Sequence, residues 1–169
     1  MPRSDELRQR AIKDALGALG YPGFQSLFSG LEAEEGHDPA VVLMAALACD
    51  RLDEIVVEAL PWLVLRFDNL DWRWILAEAR RRGVQNRLGF VVSLAVRAAA
   101  GSLGMDRLAR LAAIEEDLFA CRLPRQENRW LRMPPARRQL AAARCSQEAA
   151  LWGVPSSLRP DEIRFLGEL

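Results

Sequence analysis

Catalytic and metal-binding sites need reactive side chains at a fixed mutual spacing, and this 169-residue chain offers few. His37 is the single histidine, set in Gly36-His37-Asp38-Pro39. A general base needs a nucleophile and an orienting carboxylate within hydrogen-bond reach. Asp38 before a proline reads instead as a helix cap. Cys49, Cys121 and Cys145 are odd in number, far apart and without a Cys-x-x-Cys pair, which speaks against a four-ligand zinc site. Cys49 and Cys145 lie in alanine-rich runs where cysteine acts as a small hydrophobe. Glu32, Glu34 and Glu35 lack a metal-ligand spacing and read as a solvated loop. Neither GxxxxGK[ST] nor GxGxxG occurs, so those routes to nucleotide binding are absent. The expectation is a protein that is not an enzyme and carries no cofactor or metal.

What remains is the chemistry of recognition. Trp62, Trp72 and Trp74 fall within thirteen residues. Trp72 and Trp74 flank Arg73, and two residues of helix turn through about 200°. One ring is therefore expected in the core and the other at a rim, a neighbouring helix or a partner. Arg80-Arg81-Arg82 end a helix, where cations complement its dipole. Gln85, Asn86 and Arg87 follow as a polar corner at the start of the next helix. The candidate partner-binding set is accordingly Trp72, Arg73, Trp74, Gln85, Asn86 and Arg87. Ala79 and Gly83 have the spacing of a DNA-reading helix–turn–helix, but Glu78, Arg82 and Gly89 occupy places that such a unit fills with apolar residues.

Charge adds a second candidate. The formal net charge is zero, yet residues 1–58 carry 5 basic and 11 acidic groups, whereas residues 118–147 carry seven arginines against Glu127. Arg122, Arg125, Arg129, Arg132, Arg137 and Arg138 make a candidate basic surface that keeps nucleic-acid binding open. The simpler expectation is that the two ends attract each other or form solvated faces. Lys13 is the sole lysine beside 22 arginines, which reflects genome composition more than phosphate recognition.

The elements that must position these residues read as helices throughout. Alanine and leucine dominate, and β-branched residues never alternate with polar ones over a strand length. The fold class is all-α: a compact helical bundle, or a short HEAT-like stack of antiparallel helix pairs, of about seven to nine helices. One domain covers 1–169, with N-terminal helices at 1–38, core helical layers at 39–120 and basic C-terminal helices and a tail at 121–169. Ser4 is expected to cap a first helix through Leu19, with Leu7, Ala11, Ala15, Leu16 and Leu19 inward. A short helix is expected over 22–31 and a loop over 32–39. Asp38-Pro39 starts the next helix, whose residues 40–49 are apolar all round and so predict a central position. The helix over 53–67 contains Pro61, which predicts a kink or a restart. Asp71 caps a helix that Gly83 ends, and Gly89 in the helix over 84–100 predicts close approach by a neighbour. Helices follow over 105–120, 125–133 and 136–152, with one or two turns over 161–169.

The residues Glu58-Ala59-Leu60-Pro61-Trp62-Leu63, Arg66, Leu70-Asp71-Trp72, Trp74 and Gln85-Asn86-Arg87-Leu88-Gly89-Phe90-Val91 resemble a signature of poorly characterised bacterial proteins. Asn128-Arg129-Trp130-Leu131-Arg132 and the run Leu158-Arg159-Pro160-Asp161-Glu162-Ile163-Arg164-Phe165 are similar to that family's closing motifs, while 1–38 match nothing comparable. The resemblance implies an antitoxin- or immunity-like partner of nucleotidyltransferase-type, abortive-infection toxins. Some relatives carry an added repressor-like helix–turn–helix that this chain lacks. The expected function is protein binding, with a nucleic-acid-associated role through 122–144 as the alternative. The N-terminus has no apolar signal region and no long apolar run appears, so a cytoplasmic location is expected.

Overall fold

The computed structural model describes residues 2–27 and 36–169, apart from the side chains of residues 2, 3, 25–27 and 168. Among the described residues the fold is all-helical. Its α-helices are α1 (Pro2–Ala18), α2 (Pro39–Ala48), α3 (Glu54–Arg66), α4 (Trp72–Arg82), α5 (Gln85–Ala98), α6 (Met105–Ala120), α7 (Pro135–Ala143) and α8 (Gln147–Trp152). Short 3-10 turns lie at Pro22–Leu27, Pro160–Glu162 and Leu166–Glu168.

Local signals fix several boundaries. Asp38 accepts the Ala40 N–H at 2.9 Å ahead of Pro39, and Asp71 accepts the Trp74 N–H at 3.0 Å. Gly83 closes α4 in the left-handed conformation, at φ 66°. α3 runs through Pro61 without restarting. α1 begins at Pro2, so Ser4 lies inside it rather than capping it. Its inward face is also rotated from the expected one: Leu7 is 67% exposed and Ala11 is exposed, while Gln9, Ile12, Ala15 and Leu16 are buried. The expected helix over 22–31 is a 3-10 turn as far as Leu27, and 28–35 lie outside the described residues.

The central element is α5 rather than α2. Every residue from Gln85 to Ala95 is buried, and α5 packs on α3, α4, α6 and α8. A stack of repeats would contact only its neighbours in sequence; packing around one helix makes this a bundle. Gly89 permits it. A Cβ there would lie 2.3–2.5 Å from three ring atoms of Trp152, the close approach the glycine predicted. One hydrophobic cluster runs from Ile12 to Ile163. Tyr21, Trp62 and Phe165 stack edge to face within it, at 5.2 and 5.3 Å between centroids.

The expected helix over 125–133 does not form. Residues 122–134 cross the molecule without helix, and Leu131 pairs in parallel with Leu52. The Arg51 and Leu52 N–H groups donate to Arg129 and Trp130 carbonyls at 2.8 and 2.7 Å, and the Arg132 N–H donates to the Leu52 carbonyl at 2.8 Å. The expected helix over 136–152 is divided at 144–146, where Ser146 caps α8 by accepting the Ala149 N–H at 3.1 Å.

Candidate interaction surface

Gln85, Asn86 and Arg87 are not surface contacts. All three are buried, and Asn86 is fully enclosed. Asn86 Nδ2 donates to the Leu123 carbonyl at 2.9 Å while its Oδ1 accepts the Leu123 N–H at 2.8 Å. Gln85 Nε2 donates to the Cys121 carbonyl at 3.3 Å. Arg87 reaches three ways: to Glu127 at 2.9 Å, to the Leu47 carbonyl at 2.8 Å and to Asp50 at 3.0 Å. Its guanidinium also lies 5.9 Å from the Trp130 ring centre. A buried cation persists only when paired and hydrogen-bonded, and Glu127, itself buried, supplies that pairing. The polar corner therefore ties the crossing segment to the bundle.

The α4 residues divide as their spacing requires. Trp72 is half-buried against the core, whereas Trp74 is 39% exposed and Arg73 is exposed beside it. Of the candidate partner set, these two remain presented to solvent. The arginines at the end of the helix are held by Glu78, which accepts from Arg81 Nε at 2.7 Å and Arg82 Nε at 3.2 Å. The Arg81 hydrogen bond is the largest cause that lowers the Glu78 carboxyl to about 2.

Of the candidate basic surface, three arginines pair with carboxylates of the acidic half and three donate to main-chain carbonyls. Arg129 pairs with Asp50 at 3.0 Å, Arg132 with Asp53 at 4.0 Å and Arg137 with Glu54 at 2.7 Å. Arg122 donates to the Leu151 carbonyl at 2.6 Å, Arg125 to the Gly83 carbonyl, and Arg138 to the Met133 carbonyl at 3.3 Å. Arg129, Arg132 and Arg137 thus bring part of the basic segment against the acidic half of the sequence.

Two hollows were not legible as sites in the sequence. The first is an apolar groove of about 590 Å³ between α1 and α2, bordered by Ala11, Val41, Ala45 and Ala48 with Arg8, His37 and Arg82 on its lining. Val41 is 53% exposed and Ala45 is exposed, so one stripe of the all-apolar α2 is left uncovered by the described residues. Cys49 also lines this groove; burial, ahead of Asp5, raises its thiol pKa, which disfavours the nucleophilic thiolate. The second is a cleft of about 790 Å³ between the start of α1, the α2–α3 corner and the crossing segment. Five arginines line it, Arg8, Arg51, Arg129, Arg132 and Arg138, against Asp5 and Asp50. Arg51 stands there in the left-handed region, at φ 58°, with its N–H held by Arg129 and its carbonyl by Gln9. A third hollow of about 480 Å³ mixes Glu54, Glu58 and Glu162 with Arg137 and Arg164. The signal for the first two was the all-apolar run of residues 40–49 and the arginines at 51, 129 and 132.

Among the described residues no three His, Cys, Asp or Glu converge as a metal site requires. No described helix is long and apolar enough to cross a membrane. Compared with protein-family models, curated proteins and solved structures, the chain matches none.

Proposed function

We propose that the chain is a non-enzymatic protein-binding module, an antitoxin- or immunity-like subunit of a bacterial toxin–antitoxin or phage-defence system. The observation that carries the binding role is the uncovered apolar stripe of α2. A helix apolar on every side belongs in an interior, yet Val41 and Ala45 border an open groove. A covering partner would remove that apolar surface from water. Arg73 and Trp74 on α4 are a secondary contact. The signature resemblance supplies the class of partner, a nucleotidyltransferase-type toxin, and a cytoplasmic setting belongs to the same proposal.

The test is copurification with the proteins encoded beside this chain's gene, followed by calorimetric titration. Val41→Asp is expected to weaken binding at least about ten-fold, equivalent to about 1.4 kcal/mol, with little change in thermal stability because the side chain is exposed. Absence of any neighbouring protein partner, or full affinity in Val41→Asp, overturns the proposal.

The nucleic-acid reading has the arginine-lined cleft in its support and the internal pairing of Arg129, Arg132 and Arg137 against it. A salt titration with DNA and RNA separates the two: no binding at low ionic strength dismisses it.

A further inference from the structure

We infer that the groove and the arginine-lined cleft form one docking surface, and that its occupant is an acidic amphipathic helical segment of a partner protein. This rests on the protein-binding reading above. The two hollows share Arg8 and Ala48, so the surface is continuous from apolar to basic. The ten residues of α2 extend about 15 Å, enough to carry about ten residues of a docked helix. Ala11, Ala45 and Ala48 are small, which lets a third helix approach closely. At the Ala48 end the lining turns basic. Arg8 and Arg51 have no ion-pair partner among the described residues, and both side chains line the cleft. Arg51 also stands where glycine would sit without strain, so the backbone favours a different residue than the one presented.

The same surroundings disfavour a nucleic acid as occupant. Asp5 and Asp50 interrupt the arginines along the cleft lining, which suits a few carboxylates placed opposite Arg8 and Arg51 better than an unbroken run of phosphates. Among the described residues the groove lining is mostly aliphatic and holds no Phe, Tyr or Trp, so His37 is the one aromatic ring there on which a base could stack. A helix with aliphatic side chains at i, i+3, i+4 and i+7 and carboxylates clustered at one end matches both halves.

The test selects a phage-displayed library of random peptides, about five helical turns long, against the full chain, with short duplex DNA and single-stranded RNA as parallel probes. Enriched peptides should carry aliphatic residues at helical spacing and Asp or Glu grouped at one end. A representative peptide should lose affinity at least about ten-fold in Arg8→Ser/Arg51→Gly, whose melting temperature should not fall below that of the wild type, and should weaken as salt rises. Replacing residues 28–35 with a Gly/Ser linker should leave its affinity unchanged. A gain there makes this chain's own acidic segment the occupant and overturns the inference. So does tighter binding of DNA or RNA, or an unaltered affinity in the arginine variant. Apolar peptides without carboxylates, lost in Val41→Asp, would overturn the acidic partner and leave the protein-binding reading standing. No enrichment sensitive to either variant sinks both.

Discussion

Replacing Arg87 with alanine separates an architectural role for the polar corner from an interfacial one. Arg87 makes hydrogen bonds to Glu127, the Leu47 carbonyl and Asp50 at 2.8–3.0 Å, and Glu127 is buried beside it. The alanine variant leaves Glu127 with Arg125, 3.4 Å away and half-exposed, as its remaining ion-pair partner among the described residues. Removing one member of a buried pair costs about 3–5 kcal/mol, because the other charge stays desolvated. For a chain of this size each kcal/mol shifts the melting temperature by about 2–4 °C. The expected loss is therefore roughly 6–20 °C, read by far-UV circular dichroism. Arg73→Ala, on the exposed side of α4, should stay within about 0.5 kcal/mol. Arg87→Met/Glu127→Leu should recover part of the loss, since apolar replacement of a whole buried pair is often neutral. An Arg87→Ala protein that melts with the wild type, yet fails to bind a partner, would refute the architectural account.

Gly89→Ala should destabilise by about 1–3 kcal/mol, despite the better helix propensity of alanine, because the new methyl meets the enclosed Trp152 ring; thermal melts and tryptophan emission check it. Arg51→Gly should raise stability by about 1 kcal/mol by relieving a left-handed residue, and a lower denaturation midpoint would contradict that. The Glu78 carboxyl should titrate near pH 2 by NMR and move back toward 4.5 in Arg81→Ala. Because its folded-state value is depressed, its contribution is present above about pH 4.5 and disappears as pH falls toward 2.

Features set by neighbours in sequence were legible in the chain. Asp38-Pro39, Asp71 and Gly83 act within one turn, so residue type alone located them. The fold class followed from the same local preferences. What escaped was set at long range. Residues 125–133 look helical between Pro124 and Pro134, but their main chain pairs with residues 51 and 52. Gln85, Asn86 and Arg87 look solvated because their partners lie 36–40 residues away. Polarity by itself does not distinguish a side chain facing water from one serving a distant carbonyl. The open stripe of α2 was hidden for the opposite reason: an all-apolar helix predicts burial, and only the assembled bundle shows which side lacks a cover.

The crossing segment has a consequence for synthesis. While the chain emerges from the ribosome, α2 to α5 can fold against one another by short-range contacts. The indole of Trp130, which donates to the Ala46 carbonyl at 3.2 Å, and that of Trp152, which packs on Gly89, arrive last. Until then Arg87 lacks its Glu127 counter-charge and Asn86 its two partners on Leu123. The nascent intermediate therefore carries an unclosed seam, and a chain shortened before the crossing segment would keep it. The final third of the polypeptide acts as the clasp that commits the first two thirds to their native arrangement.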